Sequence, residues 1–350
     1  MSFGIYGAYG YTGELVAREA ARRGLKPLLL GRREEALAPI AEDLGLEYRA
    51  VSLYDDGLVE ALAPLDCVVH CAGPFFRTWE GMADACVKAK THYLDVTGEI
   101  VVFEALAAFG TRAAAAEVMV VPGVGFDVVP TDCLALHLAE QLPGATQLDL
   151  AILLLGGISH GTATTIVAGL GEGGAIRDGG RIKKVPNAHD VRDIDFGRGP
   201  VRCCTIPWGD VSTAFYSTRI PNIRVYASIP KPVITAMGVF GEFGAAVMGS
   251  PSAQKLLQGW VDRNLHGPNE EERAGGKSVC WGQVTRDGTT RTALLTGPDG
   301  YTLTALTALH AVERVERGDV KPGFQTPAKA WGSGFVTEVE GVTITEVDPA

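Results

Sequence analysis

The sequence has few of the features that mark secreted, metal-binding or nucleic-acid-binding proteins. Its seven cysteines form no Cys-x-x-Cys pair and have no histidines at metal-ligand spacing, so we predict reduced core thiols and no metal site. Its 31 basic residues are outnumbered by 41 acidic ones, and the net charge of -10 argues against a nucleic-acid partner. The sequence also has no internal repeat and no low-complexity tract.

Long hydrophobic runs are equally scarce. The one prominent run, residues 233–248, is apolar apart from Glu242, but it is too short and too rich in glycine for a membrane span. It predicts a buried helical hairpin or a homodimer contact; the alternative is an apolar wall for a lipid-like substrate or a membrane surface. The first predicted strand starts within a few residues of Met1, which leaves no room for a signal peptide, and we expect a cytoplasmic protein.

The most informative stretch is the amino-terminal one. Residues 2–6 read as a strand, residues 14–23 have helical apolar spacing, and Gly7, Gly10 and Gly13 lie between them. This GxxGxxG spacing fits a tight turn, a close approach of backbone to phosphate, and close packing of helix on sheet. The start of the helix would offer N–H groups and a partial positive charge to a pyrophosphate. The stretch therefore predicts a dinucleotide site.

Two arginines follow the second predicted strand, Lys26 to Leu30. An NAD-binding chain would carry an acidic residue here for the ribose hydroxyls, whereas this chain has Arg32 and Arg33. A guanidinium pairs well with phosphate, so the pattern favours NADP over NAD. The alternative is that both arginines lie in solvent on an ordinary loop.

The pattern of strand followed by helix continues to about residue 142, with further strands predicted near residues 47–51, 67–71, 92–96 and 117–121. Short apolar strands of this kind are typical of a parallel sheet that is covered on both faces. The first domain, residues 1–142, is therefore predicted to be a Rossmann doubly wound parallel sheet. Its ligand crevice would lie at the carboxyl ends of the strands, where the segments 72–75, 97–99 and 122–132 follow.

The residues from 143 onward have a different pattern. Strands are predicted at 147–155, 202–207, 214–219 and 223–229 and a helix at 159–170, which is followed by a stretch rich in glycine and charge at 171–199. Asp287-Gly288 predicts a β-hairpin between strands at 279–286 and 291–296. A loop at 267–277 and a helix at 301–317 complete this interpretation, which gives an α+β domain over 143–322 with a mainly antiparallel sheet. An edge strand is predicted beyond this domain, at 342–347.

Several of these segments together resemble the saccharopine-dehydrogenase-like oxidoreductases, most closely the bacterial branch that includes the trans-acting enoyl reductases. The resemblance lies in residues 7–13, 72–75, 93–99 and 122–132, and it extends over nearly the whole chain through 159–162, 207–211, 297–304 and 323–328. It implies a Rossmann domain that binds NAD(P), a second domain over its crevice, and a carboxyl-terminal segment, residues 323–350, that returns to the first domain.

The resemblance also implies the residues that contact the cofactor. It assigns this role to Gly7, Tyr9, Gly10, Tyr11, Thr12, Gly13 and Arg32, and places Gly73 and Pro74 near the nicotinamide. Arg33, Ala72, Thr97 and Gly98 complete the predicted set because they lie at the same strand ends. The family usually has Ala-Thr where this chain has Ala8-Tyr9, and we expect the tyrosine to crowd the phosphate loop.

Hydride transfer requires orientation, a dry site and one group that handles the proton. The candidates for that group are Asp95, Glu99, Asp127, His160 and Tyr301, each of which could instead have a purely structural role. An enoyl or acyl small-molecule substrate would use the apolar run 233–248. An amino-acid or imine substrate would need arginines to hold carboxylates, for which the chain offers Arg177, Arg181, Arg198 and Arg202. The alternative outside the enzyme class is a non-catalytic NADP sensor or assembly partner.

Overall fold

The computed structural model describes residues 2–153, 173–229, 250–264 and 267–347, together with Ile234. The chain divides into two compact units that alternate along the sequence. The first unit comprises Met1–Val129 and Gly300–Val339, and the second comprises Pro130–Asp299 and Glu340–Ala350. The predicted helix at 301–317, assigned to the second domain from sequence, lies in the first unit. Of the segment 323–350, predicted to return to the first domain, the part up to Val339 lies in the first unit, whereas Glu340–Ala350 lies in the second.

The first unit is built on a seven-stranded parallel sheet with the order β15-β6-β5-β4-β1-β2-β3. Its central strands are fully buried, as their continuous apolar sequences predict, and Ile5 of β1 lies between Leu29 and Val69 of its two neighbours. The strands are β1 Phe3–Tyr6, β2 Leu28–Gly31, β3 Tyr48–Ala50, β4 Cys67–His70, β5 His92–Asp95, β6 Met119–Val121 and β15 Gly323–Phe324.

Helices connect these strands, in the alternation that a doubly wound sheet requires. They are α1 Tyr11–Arg22, α2 Glu34–Leu44, α3 Gly57–Leu62, α4 Phe75–Ala89 and α5 Ile100–Ala115, while α6 Val129–Gln141 leads into the second unit. The later parts of the first unit are the helices Gly300–Glu316 and Pro327–Trp331 and a 3-10 helix, Ser333–Glu338. The predicted Rossmann fold is confirmed.

The seventh strand, β15, was not predicted from the sequence. It is only two residues long and pairs with β6, Phe324 opposite Val120. Helix α5 lies directly over it: a Cβ at Gly110 would be 2.8 Å from the Phe324 Cβ and 3.0 Å from its backbone nitrogen. A glycine in the middle of a helix therefore marks the place where a distant strand packs.

The second unit is built on a mixed nine-stranded sheet. Its main path is β10-β11-β12-β7-β13-β14-β16, and β8, which pairs with β12 and β9, continues it to one side. Among the strand pairs of the described residues in this sheet, β7 and β12 run parallel and the others antiparallel, so the predicted α+β domain with a mainly antiparallel sheet is confirmed. The strands are β7 Gln147–Leu153, β8 Gly174–Asp178, β9 Arg181–Val185, β10 Val191–Asp195, β11 Pro200–Thr205, β12 Asn222–Ser228, β13 Lys277–Arg286, β14 Thr289–Pro298 and β16 Thr343–Val347.

Helix α6 covers one face of this sheet. A Cβ at Gly282 of β13 would be 2.7 Å from Leu138 and 3.1 Å from Leu134, so the absence of a side chain there lets the helix approach. On the sheet a cluster of Ala151, Tyr226 and Trp281 packs with residues of the β10–β11 hairpin, among them Ile194 and Phe196.

Two predictions in this unit are wrong. Residues 214–219, predicted as a strand, lie in the helix Asp210–Thr218 and its cap, where Val211 and Ala214 are buried at helical spacing. The stretch 171–199, for which no strand was predicted, contains β8, β9 and β10; Gly179 and Gly180 have φ of 56° and 78° and form the two-residue turn between β8 and β9.

The second wrong prediction is the loop at 267–277, which contains the helix Glu270–Gly275. Asn269 and Glu272 form a capping box at its start, a signal that is visible in the sequence. The predicted hairpin at Asp287-Gly288 is confirmed, because β13 and β14 pair across it from Arg286 and Thr289 onward.

The predicted helix 159–170, which includes His160, and the apolar run 233–248 lie outside the described residues. The remaining helix is Pro251–Asn264. Within the ranges described above, no helix is both long enough and apolar enough to span a bilayer.

Candidate functional site

The glycine-rich turn lies in the first unit, between the carboxyl end of β1 and the start of α1. The backbone N–H of Gly7 donates to the Leu30 carbonyl at 2.8 Å, and the N–H of Gly10 donates to the Gly7 carbonyl at 2.9 Å. Gly10 is the N-cap of α1, and no side chain caps this helix. The amino end of α1 therefore has the arrangement found at the amino ends of helices that bind phosphate.

The three glycines meet different requirements. Gly7 has φ of +84°, and its position is also closed by Ala72, whose backbone nitrogen would be 2.9 Å from an added Cβ. A Cβ at Gly13 would lie 2.3 Å from the Gly7 carbonyl oxygen, so α1 reaches its place only without a side chain there. A Cβ at Gly10 would meet only that oxygen, at 3.2 Å. Gly10 thus leaves open the space in front of the helix.

Tyr9 does not crowd this turn, contrary to the expectation from its sequence. Its ring lies against the end of β2, where a Cβ at Gly31 would be 2.6 Å from the tyrosine Cε1. The guanidinium of Arg33 lies over the ring, 4.7 Å from its centroid. Arg32 and Arg33 are both exposed. The side chain of Tyr9 is thus accommodated beside the turn because residue 31 is a glycine.

The Ala72-Gly73-Pro74 loop follows β4 and is held from within the first unit. The Thr78 hydroxyl donates to the Ala72 carbonyl at 2.8 Å, and its oxygen lies 3.0 Å from Nε2 of His70. Because the Thr78 hydroxyl donates its proton to the Ala72 carbonyl, we assign a proton to Nε2 of His70, which donates to the Thr78 oxygen. Burial lowers the pKa of His70 to about 3, so the ring is neutral, and its Nδ1 has no partner among the described residues.

Asp95 is a structural carboxylate. Its Oδ1 accepts the N–H groups of Thr97 at 2.9 Å and Gly123 at 2.8 Å, and its Oδ2 accepts the Tyr93 hydroxyl at 2.6 Å. The residue is fully buried, and burial raises its pKa to about 7. These bonds tie together the loops after β5 and β6.

Glu99 caps a helix, although not the one that follows it in sequence. Its two carboxylate oxygens accept the N–H groups of Phe75 at 2.9 Å and Phe76 at 2.8 Å, at the start of α4. Helix α4 has no side-chain cap of its own at Pro74, so Glu99 supplies one from the next strand loop. Burial raises the pKa of this carboxyl group.

Asp127 differs from both of these acids. It is partly buried, it has no hydrogen-bond partner within the described parts of the chain, and burial raises its pKa to about 6. Its Oδ2 lies 2.7 Å from where a Cβ of Gly98 would be, which places the carboxylate against the loop that follows β5. Of the predicted acids on the described residues, it is the one whose oxygens are not held by backbone or hydroxyl donors.

Tyr301 lies at the other predicted position, at the start of the Gly300–Glu316 helix. Its ring meets the ring of Tyr11 edge to face, with centroids 5.0 Å apart. Helix α1 and the Gly300–Glu316 helix therefore touch near their first residues. His160, the remaining candidate, lies outside the described residues.

Sequence reasoning missed the support that the Gly300–Glu316 helix gives to the segment 122–127. The Thr304 hydroxyl accepts the Phe126 N–H at 3.0 Å, and the Thr307 hydroxyl donates to the Val124 carbonyl at 2.8 Å. Both threonines are buried on a helix, three residues apart. That pair of buried hydroxyls on one helix face is the signal that could have indicated the contact.

The arginines considered for carboxylate binding lie in the second unit. Arg177 is buried, donates to the carbonyls of Val211 and Gly180 at 2.8 Å each, and stacks on Phe215 at 4.3 Å. Arg202 pairs with Asp193 at 3.1 Å. These contacts explain both arginines structurally. Among the described residues, no group of His, Cys, Asp or Glu side chains could hold a metal ion.

The first unit thus has the features of a dinucleotide-binding Rossmann domain: a parallel sheet, a glycine cradle at its carboxyl edge, and an uncapped helix behind it. The cradle fits an NADP-type cofactor, since Gly10 leaves room for a phosphate and Arg33 stands at the end of β2. Residues 3–121 match the family described as the saccharopine dehydrogenase NADP binding domain. The predicted resemblance to saccharopine-dehydrogenase-like oxidoreductases is confirmed.

Individual proteins extend this comparison. The chain is 25% identical over 230 residues to the saccharopine dehydrogenase-like oxidoreductase of Rattus norvegicus, covering 57% of this chain and 53% of that protein. It is 30% identical over 178 residues to a Mycobacterium tuberculosis protein provisionally named a trans-acting enoyl reductase, covering 47% of this chain and 42% of that protein. The matches thus span about half the length of these relatives.

A solved structure resembles the fold over its whole length. The saccharopine dehydrogenase (L-Glu forming) of Saccharomyces cerevisiae, in its apo form, superposes with a TM-score of 0.68 and covers 99% of this chain and 100% of that one. Sequence identity is 11%, so this similarity concerns the fold alone.

Proposed function

We propose that this chain is an NADPH-dependent oxidoreductase that transfers hydride to or from a polarised C=C, C=N or C=O group. The observation that carries the proposal is the cradle formed by Gly7, Gly10 and Gly13 in front of the uncapped α1 helix. The match of residues 3–121 to an NADP binding domain supports it. When bound, the cofactor would supply or accept the hydride.

The preference for NADPH over NADH rests on the end of β2. Arg32 and Arg33 occupy the region where an NAD-binding chain would place an acid for the ribose hydroxyls. Neither arginine forms an ion pair with a carboxylate of the described residues, so their donors can meet a phosphate.

For the proton, we propose Asp127. Asp95 and Glu99 are held by the hydrogen bonds described above, whereas the Asp127 carboxyl lies at the ligand edge of the sheet without such bonds. With a pKa of about 6, this carboxyl group would carry its proton at Oδ1 or Oδ2 below that pH and could donate it to a reduced substrate. The role would then be that of a general acid.

Within this class we favour an enoyl or acyl substrate over an amino-acid-derived imine. The similarity to a protein named as a trans-acting enoyl reductase supports it, and two of the arginines considered for carboxylate binding already have partners within the second unit. The apolar run 233–248 is the proposed contact for the acyl chain. A homodimer and a cytoplasmic location remain predictions.

The test is a fluorescence titration of the purified chain with NADPH and NADH, followed by turnover assays on a panel of enoyl thioesters, imines and keto acids. We expect NADPH to bind more tightly than NADH and to be oxidised by at least one acceptor in the enoyl group. Tight NADPH binding without turnover on any acceptor would refute the enzymatic role and favour a non-catalytic NADP sensor.

Asp127→Asn tests the proton donor. We expect kcat to fall about a hundredfold, with NADPH affinity unchanged, because only the proton step loses its acid. In the wild type, kcat should decline as pH rises above about 6, the pKa of Asp127, and the variant should lose that dependence. Asp56→Asn, at an exposed carboxylate, is the matched control. An unchanged pH profile in Asp127→Asn would exclude this assignment.

A further inference from the structure

The side chain of Tyr9 forms a contact that the glycine pattern does not explain. Its ring lies across the last residue of β2, so close that a Cβ at Gly31 would be 2.6 Å from Cε1 and 3.2 Å from Cδ1. Real Cβ atoms do not approach other atoms this closely, and any larger residue at 31 would displace the ring. Tyr9 and Gly31 are therefore matched to each other.

The other partner of the ring is Arg33. Its guanidinium carbon lies 4.7 Å from the ring centroid, within the range of a cation–π contact. Arg33 is the N-cap of α2, its side chain is exposed, and no carboxylate of the described residues pairs with it. The aromatic ring is thus a contact that favours one position of this exposed side chain.

Stacking of this kind leaves the arginine able to bind. All five N–H donors of a guanidinium lie in its plane and point away from its edges, so an aromatic ring on its face removes none of them. A phosphate can still receive two parallel hydrogen bonds from the edge. The position is the end of the second strand of a Rossmann sheet, where the 2′ substituent of the adenosine ribose is read.

We infer that Tyr9 is a positioning residue that holds Arg33 for the 2′-phosphate of NADP(H), and that Gly31 is the glycine that makes room for Tyr9. The inference rests on the proposed use of NADPH and assigns part of the discrimination between NADPH and NADH to a residue of the phosphate turn. Arg33 contacts the phosphate; Tyr9 acts through Arg33.

The experiment compares the dissociation constants of NADPH and NADH, and of 2′,5′-ADP and 5′-ADP as competitors, across a set of variants. Tyr9→Leu replaces the aromatic ring with a smaller apolar side chain that cannot form a cation–π contact, and should weaken NADPH and 2′,5′-ADP about three- to fivefold with NADH and 5′-ADP unchanged. Tyr9→Phe retains the ring and should behave as the wild type. Arg33→Ala should weaken NADPH about tenfold or more, while Arg32→Ala should have the smaller effect.

The role of Gly31 is tested by a double-mutant cycle. Gly31→Ala should weaken NADPH binding as Tyr9→Leu does, because the added Cβ pushes the ring aside. In the background of Tyr9→Ala, the same substitution should have no further effect on the NADPH-to-NADH ratio, because no ring remains to be displaced. Additive effects of the two substitutions would show that Gly31 acts independently and would overturn this part of the inference.

The outcomes separate the inference from the proposed function. A wild type with equal affinity for NADPH and NADH overturns both. A wild type that prefers NADPH, together with a Tyr9→Leu variant that keeps the same preference or loses both cofactors equally, overturns the inference alone. If Arg32→Ala abolishes the preference and Arg33→Ala does not, the phosphate is read by the other arginine and the inference is wrong.

Discussion

Gly10 and Gly13 lie about one helical turn apart, yet their replacement by alanine should affect different properties. We expect Gly13→Ala to lower stability and Gly10→Ala to weaken NADPH binding. At Gly13 the new Cβ would lie 2.3 Å from the Gly7 carbonyl oxygen, 2.9 Å from the Gly7 carbonyl carbon and 3.0 Å from the Ala8 Cα. All of these are backbone atoms, so no side chain can turn away to relieve the clash. Helix α1 must move away from the Gly7 backbone to relieve the clash. Gly13→Ala should therefore destabilise the folded state.

The magnitude follows from the same contacts. Overpacking in a well-packed interior costs about 1–3 kcal/mol, and a backbone–backbone overlap belongs at the upper end, near 3 kcal/mol. At Gly10, φ is -80°, which alanine adopts freely, and the nearest atom would be 3.2 Å away. Loss of unfolded-state entropy stabilises Gly10→Ala by about 0.4–1 kcal/mol, while alanine as an N-cap costs a similar amount. The net change in its stability should be close to zero.

Denaturant unfolding and NADPH titration of both variants separate the two effects. We expect Gly13→Ala to lose about 3 kcal/mol of stability, and Gly10→Ala to keep wild-type stability but bind NADPH at least tenfold more weakly, because its Cβ occupies the space left for phosphate. Gly334→Ala is the control, since an added Cβ there meets nothing within 4 Å. A Gly10→Ala variant that binds NADPH normally, or a Gly13→Ala variant of wild-type stability, would refute this account of the cradle.

Two further predictions concern the structural acids. The pKa of Asp95 is raised from 3.8 to about 7, so its contribution to stability should fall by up to about 4 kcal/mol as pH rises from about 4 to 7, because the unfolded chain ionises first. The melting temperature of Asp95→Asn should therefore depend less on pH in this range than that of the exposed control Asp56→Asn. Equal slopes for the two variants would contradict the raised pKa. Glu99→Ala leaves two N–H groups at the start of α4 without their acceptor and should lower the free energy of unfolding by about 2–4 kcal/mol. Hydrogen exchange at the amides of Phe75 and Phe76 should accelerate in this variant. Unaltered protection of these amides would show that Glu99 is not the cap.

The sequence predicted six of the seven strands of the Rossmann sheet because each of those six carries a local signal, which the two-residue β15 lacks. The continuous apolar strands and the Gly7-Gly10-Gly13 turn are explained by contacts that reach only a few residues along the chain or to the next strand. The wrong strand at 214–219 shows the limit of such signals. Its Thr, Phe and Tyr residues favour a strand locally, but burial of Val211 and Ala214 against the second unit's core selects a helix.

The roles of the predicted acids could not be read from the sequence, because each depends on groups far along the chain. Glu99 was a candidate for the group that handles the proton or for a structural role, and the structural role it has is to accept from Phe75 and Phe76, which lie in an earlier helix. Tyr9 was expected to crowd the phosphate turn, whereas Gly31 removes the obstacle. In both cases the deciding atom belongs to a neighbouring strand end that only the folded sheet brings near.

The alternation of the two units along the chain has a consequence for the order in which they can be completed. The first 129 residues supply six strands, but β15 and the helix that bonds Phe126 and Val124 are contributed by residues 300–339. During synthesis, the ribosome must therefore make the second unit up to Asp299 before the first unit can add β15 and complete its sheet. The second unit in turn waits for β16, the last strand to emerge. Neither unit is finished before the other is nearly made, which couples their folding in time through connectivity alone.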